Sequence, residues 1–227
     1  MAPNSLRVVH RVFVDSNVLG SKTQYDWLFM LKQECAMFAV CTSDDVLDEA
    51  HRVWRRKHPN AGGEMRAQRA ALFRDNFDEV LAEWTGGAAS DLRDVDDTHV
   101  HNAARSAEVD ILLTNNVSDF GDPALLPYDL YTPDEFFLLI DSNKPADVLA
   151  VARRQAIYWH RRNESQSTSE RVTLADALRK AGCPGFAAAV ESHLQTLSGP
   201  PAPAGSGLLP EGQAEPLPEV IASEQLS

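Results

Sequence analysis

The stretch Val12-Phe13-Val14-Asp15-Ser16-Asn17 decides the reading of this chain. Three consecutive apolar residues suit a strand buried on both faces, as in a parallel sheet covered by helices. The aspartate that ends the run would then leave the C-terminal tip of that strand, the edge where open α/β sheets carry their sites. A second run, Ile111-Leu112-Leu113-Thr114, repeats the pattern, with Asp119 a short polar turn further on. Core packing requires neither carboxylate.

Working outward, strand and helix patterns alternate in the manner of an α/β fold. A strand near Val8 to Val14 leads to a helix whose first turn pairs Thr23 with Asp26 in a capping-box pattern and whose apolar face is Trp27, Leu28 and Leu31. A short strand from Met37 to Cys41 ends in Thr42-Ser43, a ready N-cap for the helix holding Val46, Leu47 and Val53. After a loop from His58 to Gly63, Phe73, Phe77, Val80 and Trp84 share one face of a long helix that runs to Gly86-Gly87. Asp94 then caps a helix carrying Val100, Ala103, Ala104 and Ala107, followed by the Ile111 strand. A last strand, Asp129 to Tyr131, runs into Thr132-Pro133-Asp134-Glu135, an N-cap with proline at the first helical position and a capping-box glutamate.

Beyond Lys144-Pro145 only helical patterns occur. Val148, Ala152, Ala156 and Trp159 form one stripe; a linker from Asn163 to Ser169 follows; Thr173 and Asp176 start a second helix that Gly182 closes; Phe186, Val190, Leu194 and Leu197 form a third stripe. The last two helices read as a helical hairpin, with a helix-turn-helix as the alternative. The expected organisation is an α/β domain over residues 7–141, a helical accessory module over 145–197 and a disordered, acidic, proline-rich tail over 198–227.

Composition bounds the function. With 227 residues, 44% of them hydrophobic, the chain can bury one substantial core and an appendage. Its three cysteines are an odd, widely spaced set that fits neither a disulfide framework nor a zinc site, so a reducing cytoplasm is expected. No long apolar stretch marks a signal peptide or a membrane span. The net charge of −12 disfavours broad electrostatic adhesion to nucleic acid; the tail holds four acids and no base, so without it the charge is −8. Bases cluster at Arg52, Arg55, Arg56 and Lys57, and again at Arg153-Arg154 with His160-Arg161-Arg162. Each cluster is either a solvated helix face or a phosphate-contacting rim.

Four acids stand at element ends or on helices leading from the same sheet edge: Asp15, Glu49, Asp97 and Asp119. Each has an ordinary structural reading: an Asx-turn at Asp15, an exposed helix position at Glu49 with Asp45 and Asp48 as competitors, a helix-dipole partner at Asp97 and a turn at Asp119. Brought together, they would repel. Two unit charges about 4 Å apart cost roughly 4 kcal/mol at an effective dielectric near 20, so four converging carboxylates need a cation. Oxygen ligands without His or Cys suit Mg²⁺ or Mn²⁺, and such a cation activates water and neutralises a reacting phosphoryl group. Metal-dependent phosphodiester hydrolysis is the chemistry that results. A haloacid-dehalogenase phosphatase is excluded because Asn17 stands where a titrating Asp is required, and the Asp94-Asp96-Asp97 cluster lacks the glycine and glutamate of a calcium loop. His99 and His101 lie two apart on a helix, share no face, and are expected as cap or surface residues.

Four strings read together, Val14-Asp15-Ser16-Asn17-Val18-Leu19, Val46-Leu47-Asp48-Glu49, Asp94-Val95-Asp96-Asp97-Thr98-His99-Val100 with Ala103-Ala104, and Leu113-Thr114-Asn115-Asn116-Val117-Ser118-Asp119-Phe120, resemble the PIN-domain family of nucleases. Order and spacing match from Val8 to Ile140, and the first and last strings are the specific ones. The resemblance implies a three-layer α/β/α sandwich around a parallel sheet, a site for Mg²⁺ or Mn²⁺ on Asp15, Glu49, Asp97 and Asp119, and single-stranded RNA as substrate. Ser16, Asn17, Thr114 and Asn116 would orient ligands or waters from behind them. Asn116 departs from the family pattern, where Asp is common, and so puts a second metal in question. Short bacterial members are commonly VapC-type toxins, endoribonucleases silenced by a DNA-binding antitoxin whose basic segment reaches the acidic pocket. The first expectation is such a toxin, with RNA and an antitoxin as partners, a homodimer left open and no membrane. A housekeeping RNA-processing nuclease and an inactive RNA- or protein-binding PIN fold are the alternatives. Arg52, Arg55, Arg56 and Lys57 would contact RNA.

Overall fold

The computed structural model describes residues 9–86, 98–164 and 171–197. Five parallel strands form one sheet: β1 (His10–Val14), β2 (Phe38–Ser43), β3 (Glu79–Leu81), β4 (Ile111–Leu113) and β5 (Asp129–Tyr131), in the order β3-β2-β1-β4-β5. Helices flank this sheet, giving the expected α/β/α sandwich. Val12, Phe13 and Val14 of the central strand are fully buried, as are Leu112 and Leu113 of its neighbour, because both faces of these strands are covered. The short edge strands expose Glu79 and Asp129, which suits positions with no further pairing partner.

The helices, in chain order, are α1 (Ser16–Leu19), α2 (Lys22–Cys35), α3 (Asp44–Lys57), α4 (Gly63–Asn76), α5 (Thr98–Ser106), α6 (Pro133–Asn143), α7 (Pro145–Glu164), α8 (Leu174–Lys180) and α9 (Pro184–Leu197). Several caps follow the sequence. Ser43 accepts from the Val46 amide at the start of α3, Thr132 and Glu135 form a full capping box on α6, and Thr173 accepts from Asp176 on α8. Gly182, at φ 80°, closes α8 in the left-handed conformation that glycine adopts without strain.

Three expectations are corrected. The long helix through Phe73 and Trp84 stops at Asn76, and Val80 lies in strand β3. The turn is held by Asp78, whose amide donates to the Val40 carbonyl (2.9 Å), whose carboxylate accepts the Val40 amide (2.7 Å) and whose other oxygen pairs with Lys32 (2.8 Å). The Thr23-Asp26 capping box is absent: Ser21 is the N-cap of α2, without a side-chain bond, and Asp26 instead pairs with Lys22 at 2.7 Å. Helix α7 continues through Asn163 to Glu164, into the stretch read as linker. The residues before Val9, Gly87, the Asp94 cap and the 198–227 tail lie outside the described residues.

Helices α7 to α9 share one continuous core with the sandwich. Phe186 of α9 packs edge-on against Trp27 of α2, ring centres 4.9 Å apart, and against Phe137 of α6 at 5.2 Å. Asp134 of α6 receives the Gly185 and Phe186 amides at 3.1 and 2.7 Å, which docks the first turn of α9. Cys35, Cys41 and Cys183 are free and buried, and burial pushes their thiols up to about 11, 12 and 12. Among the described residues no helix is long and apolar enough to cross a membrane.

Candidate metal centre

The sheet order sets the location of the site. The chain moves outward from β1 to β2 and β3, then crosses back to β4 on the other side of β1. The switch point of the sheet is therefore the seam between β1 and β4. Val14 pairs with Leu113 in this seam, so the residues that follow them, Asp15 and Thr114, meet just beyond the strand ends.

Asp15 is 3% exposed. Its Oδ2 accepts two hydrogen bonds, one from the Thr114 hydroxyl at 2.7 Å and one from Asn17 Nδ2 at 2.6 Å. Thr114 Oγ1 accepts in turn from Asn17 Nδ2 (3.0 Å) and from the Asn116 amide (3.0 Å). The Asp15 amide donates to the Leu113 carbonyl and its own carbonyl accepts from Val18, tying the first turn of α1 to the strand end. Burial raises the Asp15 carboxyl above its ordinary value. Hydrogen bonds from Thr114 and from the Ser16 backbone and side chain oppose the rise, and the charge of Glu49 adds to it.

Glu49 is the charge that adds to that rise. It lies on α3, beside His99 of α5, with 3.6 Å between Oε2 and Nε2. Its competitors are elsewhere occupied or exposed: Asp45 accepts from the Trp84 indole at 2.9 Å, and Asp48 faces solvent. Asp119 sits in a 3-10 turn, Val117–Phe120, where its carboxylate accepts from Ser118 (3.1 Å) and its amide donates to the Asn116 carbonyl. Asp97 lies outside the described residues. Among the described residues no three His, Cys, Asp or Glu side chains form a group able to hold a metal ion. The structure therefore joins Asp15 to Thr114 and Asn17, and places Glu49 on α3 and Asp119 on the loop that leaves β4.

The chemistry at Asp15 is of the kind a hard divalent cation takes, although the described residues alone do not complete a ligand set. Asp15 is a buried carboxylate whose anion is disfavoured by desolvation and by Glu49, and among the described residues no basic side chain forms an ion pair with it. Oxygen donors in that setting match Mg²⁺ or Mn²⁺.

Arg52, Arg55, Arg56 and Lys57 are exposed along the last turns of α3. Arg52 and Arg56 follow Glu49 at helical spacing and share its face. His101, expected at the surface, is instead buried, with its Nδ1 2.6 Å from the Tyr128 hydroxyl, a pairing made by the chain's return through β5.

Sequence reasoning passed over Gln24 and Asn115. Gln24 is 2% exposed on α2 and makes a paired amide contact with Asn115 in the turn after β4. A signal was present: Gln24 falls in the same helical register as Leu28 and Leu31, a polar residue on the face turned to the core.

Residues 11–118 match the family model described as PIN domain. The match spans Asp15, Glu49, Asp97, Thr114 and Asn116 and ends just before Asp119. No curated protein and no solved structure matches the chain. Falling on a PIN-like sandwich with its buried acid at the switch point, the match supports the PIN-domain nuclease family. PIN domains are generally nucleases that use divalent metals, which supports a hydrolase.

Proposed function

We propose that this protein is a Mg²⁺- or Mn²⁺-dependent endoribonuclease that cuts single-stranded RNA, and that it acts as the toxin of a bacterial toxin–antitoxin pair. The observation that carries the nuclease reading is the Asp15 carboxylate, buried at the switch point, disfavoured as an anion by burial and by the charge of Glu49, and without a basic partner among the described residues. A divalent cation held by Asp15 and Glu49, with Asp97 and Asp119 as further ligands, would lower the pKa of a water and neutralise charge developing on the phosphoryl group.

The rest of the chemistry belongs to the chain. Thr114 and Asn17 both donate to Oδ2 of Asp15 and so fix the rotation of its carboxylate. Asn116 contributes its amide to Thr114, fixing that hydroxyl's acceptor side and leaving its proton for Asp15. A side-chain carboxamide at position 116 in place of Asp leaves one fewer charge at the site, which favours a single cation. Arg52 and Arg56, one and two turns beyond Glu49, would take phosphates flanking the scissile one, with Arg55 and Lys57 beside them.

The charge of the chain supports the toxin reading: an acidic protein with an acidic pocket suits a partner that offers a basic segment. The test is to incubate the purified chain with single-stranded and double-stranded RNA and single-stranded DNA in Mn²⁺, and to express it with and without the product of the neighbouring gene. Internal cuts in single-stranded RNA, with growth arrest relieved by the neighbour, are expected. Cleavage without growth arrest would move the protein to RNA processing, and no cleavage of any substrate would leave a binding module.

A further inference from the structure

Behind Asp15 a row of three side-chain amides leads away from the site and ends in the C-terminal helices. Asn17 Nδ2 donates to Asp15 Oδ2 and to Thr114 Oγ1. Asn17 Oδ1 accepts from the Asn115 backbone amide at 3.0 Å and from Asn115 Nδ2 at 3.3 Å. The other Asn115 Nδ2 proton goes to Gln24 Oε1 at 3.0 Å, while Gln24 Nε2 donates back to Asn115 Oδ1 at 2.9 Å. The second Gln24 proton reaches the Ala181 carbonyl, 2.6 Å away, in the turn between α8 and α9. Every amide proton of the three side chains thus has an acceptor.

An amide side chain can be turned either way in a loose site, and its orientation is set by its partners. Here both ends of the row are obligate. The Ala181 carbonyl only accepts, so the Gln24 nitrogen must face it; reversing Gln24 would set its oxygen against both that carbonyl and Asn115 Oδ1. The Asn115 backbone amide only donates, so Asn17 must offer it oxygen, and the Asn17 nitrogen is then left for the Asp15 carboxylate. Turned the other way, Asn17 would press an oxygen against an anion. A fully satisfied network of this kind, running between the buried Gln24 and the buried Asp15, favours one arrangement, because any reversal sets like groups against each other.

We propose that Gln24 is a positioning residue for the candidate metal centre. Anchored on the Ala181 carbonyl, it grips the Asn115 side chain and so holds in place the turn after β4, whose backbone amide and side chain together keep the nitrogen of Asn17 turned to Asp15. The C-terminal helices are thereby part of the site's support. The consequence for metal binding rests on the reading of Asp15 as a ligand; the orientation of Asn17 does not.

The test uses the full chain with nitrogen-15 in its side-chain amides, first free of metal and then titrated with MnCl₂ in a calorimeter. In the native protein the Asn17 amide protons should exchange slowly with solvent. Gln24→Met, which keeps length without polar atoms, should speed that exchange several-fold and weaken Mn²⁺ binding by about 10-fold, as loss of an outer hydrogen bond to a ligand does. Asn115→Ala, at an exposed position and therefore safe for folding, cuts the same link and should give the same changes. The double variant should lose no more than either single one, because both act through one path. If Gln24→Met does not fold, Asn115→Ala decides alone. Native-like Asn17 exchange in a folded variant, or additive losses in the double variant, would overturn the proposal. Absence of Mn²⁺ binding by the native chain, with Asn17 exchange responding as stated, would sink the metal reading and leave the positioning role standing.

Discussion

Thr114 and Asp15 meet across the β1–β4 seam, the hydroxyl giving a 2.7 Å hydrogen bond to Oδ2, at the one place where the crossovers of the sheet change direction. Neither residue is accessible: Thr114 is fully buried and Asp15 nearly so. A buried carboxylate is stable only with donors or a cation to replace the water it loses. The donors come from Thr114, Asn17 and Ser16, yet burial still dominates the balance at Asp15, so its charge is compensated either by a proton or by a cation.

Replacing that hydroxyl should be felt in both stability and activity. Thr114→Val keeps the shape but leaves the Asn116 amide without its acceptor and Asp15 without a donor, an expected cost of about 1–3 kcal/mol. RNA cleavage should fall about 10- to 100-fold, while Thr114→Ser stays near native. Urea unfolding and initial cleavage rates measure the two effects; a valine variant indistinguishable from the serine variant would show that the hydroxyl has no role.

Stability of the metal-free protein should depend on pH in a definite sense. The native state raises the Asp15 carboxyl above its ordinary 3.8, so it holds a proton to higher pH than the unfolded chain does. Stability is therefore lost as pH rises from that value through the folded-state value. Asp15→Asn cannot ionise and escapes this loss. In chelator it should melt above native at neutral pH, with the difference vanishing near pH 4, and added Mn²⁺ should reverse the order by binding the native protein. Melting curves across that range check it, and a variant that is less stable at neutral pH in chelator contradicts the electrostatic account.

The last helix should be inseparable from the sandwich. Phe186 is fully buried between Trp27 and Phe137, so Phe186→Ala should cost about 3–5 kcal/mol. Because the core is continuous, fluorescence and circular dichroism should report one shared unfolding transition at a lower midpoint. Two separated transitions would mean that α9 unfolds by itself.

Changing Arg52, Arg55 and Arg56 together to alanine should weaken RNA binding and flatten its dependence on salt. Each arginine that no longer neutralises a phosphate of a single strand lowers the slope of log K against log salt by about 0.7, so a change of roughly 2 is the upper expectation. Mn²⁺ affinity should hardly move. Equal slopes for native and variant would assign this run to solvent or to a protein partner.

Most of the sandwich was legible because its signals are local. Buried central strands read as unbroken apolar runs, and Thr132 and Thr173 announce their helices through caps that need only three residues. Strand β3 was hidden because Phe73, Phe77, Val80 and Trp84 keep a helical spacing across the break. The break itself is made by Asp78 docking on Val40 and Lys32, contacts between segments far apart in sequence. Asp15 could be found from its strand and Thr114 from the resemblance. The amide row from Gln24 to Asn17 could not, since it joins α2, the β4 turn and the α8–α9 turn, which only the folded chain brings together.

Whether Asp15 anchors a metal-dependent nuclease site is decided by the rate of single-stranded RNA cleavage by native protein and by folded Asp15→Asn, each with Mn²⁺ and with chelator. Asn conserves the shape of Asp and can accept the same hydrogen bonds, so the comparison isolates the charge. Native protein should cut only with metal, and the variant should lose about 100-fold or more of that rate. Equal metal-dependent rates in the two proteins, or cleavage by native protein that persists in chelator, would contradict the account.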